Sequence, residues 1–156
     1  MSQLCIKIYT VMILAFMIYS PAFAAGNSSH AAKAFEGGRY DIVTWAKRCL
    51  GKPYVWGGNG RRGYDCSGFV RATCNRCGIR LPRSSAAQYR VGTPVSRSAL
   101  RPGDRVFFST YRRGPSHVGI YIGNDKFIHA SSSKRRVTMD RLSSRYYRAR
   151  YIGARR

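Results

Sequence analysis

One cysteine and two histidines in this chain have the types and the setting for nucleophilic chemistry. Cys66 stands in Asp65-Cys66-Ser67-Gly68-Phe69-Val70, and His117 and His129 follow far downstream. A thiol becomes a nucleophile when a base takes its proton, a further polar group orients that base, and a helix N-terminus favours the thiolate. The polar lead-in before an apolar helix face places Cys66 at the rim of the fold, where a buried structural cysteine would not sit. His117 opens the apolar run 117–123, and the first residue of a strand can face a cleft while its neighbours anchor the sheet. An imidazole there can accept the thiol proton and return it to a leaving amine. His129 lies beyond the Asn124-Asp125 turn. Hairpin pairing does not set it directly opposite His117, so the contact between them must be diagonal or arise from strand twist. Together the three residues point to a cysteine hydrolase.

The elements that must hold these residues are legible from periodicity. Ile42, Val43, Trp45, Ala46, Cys49 and Leu50 have the spacing of an amphipathic helix, ended by Gly51 and Pro53. Residues 54–60 run extended and then glycine-rich. A second helix starts at Asp65 or Cys66 and runs to Cys77, stopped by Gly78. Ser84 caps a short third helix through Gln88 and Tyr89. After Pro102-Gly103-Asp104 the character changes to short β-branched and aromatic runs at 105–109, 117–123, 126–130, 135–139 and 148–153. Helices first and strands second is an α+β pattern, with N-terminal helices packed on a C-terminal antiparallel sheet.

Two patterns suggest other chemistry and are set aside. Gly58-Asn59-Gly60-Arg61-Arg62-Gly63 matches a dinucleotide-binding glycine pattern, but neither a βαβ unit nor a downstream acidic residue accompanies it. It reads as a loop that wraps the cleft. Arg145-Tyr146-Tyr147-Arg148-Ala149-Arg150-Tyr151 interleaves cations with aromatics, and is expected as an edge segment with a solvated basic face, not as a nucleic-acid stacking platform.

Residues 1–24 have the form of a signal peptide: Lys7 precedes an apolar run at 8–18, and Ala22-Phe23-Ala24 offers a small-x-small cleavage site. The run is short for a bilayer core that needs roughly 20 residues, so no membrane span is expected after cleavage. Residues 25–38 read as a flexible mature N-terminus, with His30 a solvated bystander, and 39–156 as a single catalytic domain. The chain carries 28 basic and 6 acidic residues, a formal charge of +22. A surface so basic attracts polyanions, and the export signal favours anionic envelope polymer over any specific nucleic acid. The four cysteines past the signal are Cys49, Cys66, Cys74 and Cys77. Cys74 and Cys77, three apart on a helix, are poorly placed for a bridge with each other or for zinc. A bridge from Cys49 to either stays open.

The residues resemble the NlpC/P60 family of cell-wall cysteine peptidases, over about 39–156. The resemblance rests on Gly51-Lys52-Pro53-Tyr54-Val55-Trp56-Gly57-Gly58, the Asp65–Val70 block, Leu81-Pro82-Arg83-Ser84, Pro102-Gly103-Asp104, His117-Val118-Gly119-Ile120-Tyr121-Ile122-Gly123 and Phe127-Ile128-His129-Ala130-Ser131. The C-terminal stretch ending Ala154-Arg155-Arg156 also resembles small Gram-negative murein endopeptidases. The resemblance implies a papain-like α+β fold, Cys66 as nucleophile, His117 as base and His129 as the residue orienting it. It implies Tyr54, Asp65, Ser67 and Ser116 at the substrate groove, and peptidoglycan peptide stems as substrate. The bond cut would be D-glutamyl–diaminopimelate or D-alanyl–diaminopimelate, with no metal or organic cofactor. The expectation is a monomeric enzyme of the periplasm or envelope, or a secreted one. Two alternatives are an antibacterial toxin with the same chemistry and a non-catalytic basic module binding anionic polymer. Cys74 and Cys77 depart from the family pattern of an aromatic and a small residue.

Overall fold

The computed structural model describes residues 41–156; the expected signal peptide and the expected flexible N-terminus lie outside the described residues. The helices come first: α1 at residues 41–48, α2 at Cys66–Arg76 and α3 at Ser85–Tyr89. Then follow β1 (Pro94–Val95), β2 (Arg105–Phe108), β3 (His117–Gly123), β4 (Lys126–Ser131) and β5 (Arg136–Arg141). A short helix α4 (Arg145–Arg148) and β6 (Tyr151–Arg155) close the chain. The strands form one antiparallel sheet in the order β1-β6-β2-β3-β4-β5. This is the α+β arrangement expected, helices packed on a C-terminal antiparallel sheet.

Alternation along the strands sends side chains to two different layers. On one face Phe107, Val118, Ile120, Ile128, Ala130 and Val137 meet Ile42 and Ala46 of α1 and Phe69, Val70 and Cys74 of α2. On the other face Val106, Phe108 and Phe127 pack with Leu142, Tyr147 and Tyr151. Phe69 and Phe107 are wholly buried, and truncating either to alanine removes about 3–5 kcal/mol of stability.

The β3–β4 hairpin turns on Asn124 and Asp125, both with positive φ (50° and 61°), as its two-residue turn requires. The final strand begins later than its apolar pattern suggests, at Tyr151 and not at 148. Residues 145–148 coil into α4, which carries Tyr147 back over the sheet. The expected solvated edge is therefore half right: Tyr146 is exposed, with Arg150 stacked on its ring at 3.9 Å, whereas Tyr147 packs inward. Among the described residues no helix is long and apolar enough to cross a membrane, and Cys49, Cys66, Cys74 and Cys77 are all free thiols.

Candidate active site

Helix α2 begins on the cysteine. Asp65 is its N-cap, in extended backbone, and accepts the Gly68 N–H at 2.6 Å and the Ser67 hydroxyl at 3.2 Å. Arg83 grips the same carboxylate with both guanidinium arms, at 3.1 and 2.5 Å, and donates to Ser67 Oγ at 3.0 Å. The glycine-rich loop lies across this start: Asp65 N–H donates to Gly58 C=O at 3.2 Å, and a Cβ at Gly68 would stand 2.0 Å from that oxygen. Only glycine lets the loop close on the helix this tightly. Gly58–Gly63 thus serves as a clamp on the helix that Cys66 opens.

Cys66 is buried, and its thiol donates to the carbonyl of Ser116, the residue before β3, at 4.0 Å. Burial, with the Asp65 charge adding to it, pushes the thiol up to about 11. Backbone N–H groups of Val118, Ser67 and Cys66 itself pull the other way. Cys66 therefore rests as a neutral thiol.

A line of hydrogen bonds crosses three strands beside the cleft. His117 Nε2 lies 2.8 Å from His129 Nδ1, and His129 Nε2 lies 2.9 Å from Asp140 Oδ2. Lys134 Nζ donates to Asp140 Oδ1 at 2.6 Å. The charge states fix who donates. Burial would raise the Asp140 carboxyl, but the hydrogen bonds from His129 and Lys134 outweigh it, so Asp140 is held below the usual carboxylate range and can only accept. Burial holds His129 below the usual imidazole range despite Asp140, and holds His117 well below it with His129 adding to the effect. Both rings are thus neutral, with one N–H each. His129 Nε2–H donates to Asp140, which leaves His129 Nδ1 to accept from His117 Nε2–H. His117 Nδ1 is left with a bare lone pair, the state a general base needs.

The diagonal reach expected of His129 is what the register provides. Ile120 pairs with Ile128, which sets residue 119, not 117, against 129. Residue 119 is a glycine. A Cβ there would stand 2.6 Å from the Phe127 ring and 3.1 Å from His129 Cβ, so the absent side chain leaves the space across which His129 leans to His117. Asp140 arrives on the same face because it pairs with Phe127 on β5. Tyr147 covers the histidine pair, its hydroxyl 3.4 Å from His129 Nε2.

Cys66 and His117 line one cavity of about 530 Å³ with Tyr54, Trp56, Tyr111, Lys134, Asp140 and Tyr147. Burial, then Cys66 and Asp65, push the Tyr54 hydroxyl up to about 12, so it stays protonated and able to donate. Trp56 and Tyr111, 74% and 59% exposed and 5.8 Å apart edge to face, form an aromatic rim, the kind of apolar patch that marks a binding cleft. Of the residues expected at the groove, Tyr54 lines the cavity. Asp65, Ser67 and Ser116 do not: the first two hold the helix start with Arg83, and Ser116 is fully buried, its Oγ accepting from Thr110 N–H at 2.7 Å. Asp140, Lys134, Trp56, Tyr111 and Tyr147 were not singled out from sequence. The scarcity of acidic residues was the one available signal for Asp140. Among the described residues no group of three or more His, Cys, Asp or Glu is placed to hold a metal ion.

The pattern of the NlpC/P60 family matches residues 51–156, the whole of this site included. The chain belongs to the NlpC/P60 family. It is 44% identical over 115 residues to the probable peptidoglycan endopeptidase LytE of Bacillus subtilis, covering 74% of this chain and 33% of LytE. Against the murein DD-endopeptidase MepH of Escherichia coli it is 45% identical over 112 residues, 69% of this chain and 41% of MepH. Against the Escherichia coli murein DD-endopeptidase MepS/murein LD-carboxypeptidase it is 47% identical over 107 residues, 68% of this chain and 56% of that protein. The chain thus spans less than two thirds of the length of these relatives. Among solved structures, an NlpC/P60 family protein from Bacillus cereus aligns with a TM-score of 0.70 at 38% identity, over 76% of this chain and 39% of that one. The NlpC/p60 domain of the peptidoglycan hydrolase SagA aligns with a TM-score of 0.67 at 30% identity, over 76% of this chain and 97% of the domain.

Proposed function

We propose that the protein is an exported cysteine peptidase that hydrolyses amide bonds in peptidoglycan peptide stems or crosslinks. The observation that carries this reading is the line Asp140–His129–His117, which ends in a bare His117 nitrogen in the same cavity as the helix-opening Cys66. Because thiol and imidazole are both neutral at rest, proton transfer to His117 Nδ1 accompanies attack of Cys66 Sγ on the stem carbonyl. The backbone N–H groups at the start of α2 face the developing oxyanion. His117, now an imidazolium, donates its proton to the leaving amine, and the thioacyl-enzyme forms. Water, deprotonated by the same nitrogen, then releases the acid.

MepH and MepS are named DD-endopeptidases, so the D-alanyl–diaminopimelate crosslink is the first bond to assay, ahead of D-glutamyl–diaminopimelate. Residues 1–24 would direct export and 39–156 would act as the catalytic domain. The basic surface would hold the monomeric enzyme to anionic envelope polymer by salt-sensitive attraction. Muropeptide release from purified sacculi, followed by mass spectrometry, is the test. Cys66→Ala should abolish release while leaving the thermal transition in place. Retained release in that variant would overturn the mechanism.

A further inference from the structure

In a chain with 28 basic residues, the described residues put a single cationic side chain on the wall of the catalytic cavity: Lys134. Its place is built. The backbone N–H of Lys134 donates to Ser131 Oγ at 3.2 Å, Ser131 and Ser133 hydroxyls share a 3.0 Å bond, and Arg135 closes the β4–β5 turn with a positive φ of 56°. The ammonium group is anchored by Asp140 at 2.6 Å, yet the side chain is 45% exposed. An ammonium has three donors, and Asp140 takes one. The other two have no partner among the described residues and face a cavity walled by aromatic rings and serine hydroxyls, where a charge-assisted hydrogen bond is stronger than in open water. Ser132 lines the same cavity and adds a hydroxyl with no partner among the described residues. Lys134 thus pairs with Asp140 while its side chain stays accessible on the cavity wall.

We propose that Lys134 is a specificity residue that recognises a free carboxylate on the substrate near the scissile bond. The proposal rests on the peptidase reading above and goes further in naming what the cleft selects. Its chemistry is a forked ammonium–carboxylate contact with Ser132 as the second donor, and no covalent step is involved.

The test uses stem and crosslinked muropeptides offered as matched pairs, the diaminopimelate carboxylate free in one member and amidated in the other. The native enzyme should favour the free acid by about tenfold or more in kcat/KM, the gap lying in KM. In Lys134→Met the ratio should collapse toward one, and in Lys134→Arg most of it should return. A native enzyme indifferent to amidation would overturn the proposal. So would a Lys134→Met enzyme that is slower on both members in equal measure, because Lys134 would then act only through Asp140. Failure of the native enzyme to cut either member would instead remove the peptidase reading itself.

Discussion

The two walls of the cleft are made in different ways. The thiol wall is local: Asp65, Cys66, Ser67 and Gly68 are consecutive, and the loop that clamps them begins only seven residues before Asp65, at Gly58. The longer-range partners are Arg83, Gln88, whose Nε2 donates to Ser67 C=O at 3.0 Å, and Ser116, whose carbonyl faces the thiol. The imidazole wall draws on β3, β4, β5, the turn carrying Lys134, and α4, so its geometry exists only when three strands pair in the right register. A local wall is fixed by helix capping; a non-local one is fixed by the sheet. The chemistry divides along the same line. The thiol wall sets the Cys66 pKa through burial, one charge and three opposing backbone N–H groups, whereas the imidazole wall sets a tautomer through a line of donors and acceptors.

Breaking the imidazole wall at its far end should have the largest effect. In Asp140→Asn the amide can donate to His129 Nε2 and reverse every bond in the line, which leaves His117 Nδ1 protonated where it should be bare. We expect kcat to fall by roughly 10²–10⁴-fold with little change in KM, by analogy with amide replacement in other catalytic triads. Steady-state kinetics on one muropeptide will measure this, and an unchanged kcat would show that Asp140 orients nothing. A smaller effect is expected at Gly119→Ala. Its methyl would meet the Phe127 ring and the Ile128 carbonyl, destabilising the fold by about 1–3 kcal/mol in urea denaturation and pushing His129 off its contact. Loss of activity beyond loss of folded protein would confirm that this glycine makes room for the relay.

The smallest effect belongs to the thiol wall. Asn still caps a helix, so Asp65→Asn keeps the cap while deleting the charge that helps raise Cys66. The thiol pKa should therefore fall, by less than burial alone raises it. Iodoacetamide alkylation should reach half its maximal rate at a lower pH than in the native protein. A midpoint that stays put or rises would mean that the Asp65 charge does not reach the thiol.

This asymmetry also explains what could be read in advance. Cys66 and its helix follow from a contiguous motif, an N-cap and a 3.6-residue pattern, which are short-range signals. His117 and His129 stand out because histidine is scarce here. Their contact depends on Gly119 and on a register that spacing constrains without fixing. Asp140 and Lys134 sit in a basic strand and turn where nothing local marks them, and β5 pairing alone brings them to the site. The segment 145–151 shows the same limit: its polar pattern predicts a solvated edge, yet Tyr147 is drawn in by Phe108, Phe127 and the two histidines. Tertiary burial there overrides local pattern.

At rest the Cys66 thiol and the His117 imidazole form a neutral pair, with a single proton on each imidazole, on Nε2. Nitrogen-15 NMR of histidine-labelled protein at pH 7 tests this directly. His117 and His129 should each show one protonated and one bare ring nitrogen, with Nε2 the protonated one in both. Acid should not charge His117 until well below the ordinary imidazole pKa of about 6.5. Two protonated nitrogens on His117 at pH 7, together with a thiolate at Cys66, would contradict the account.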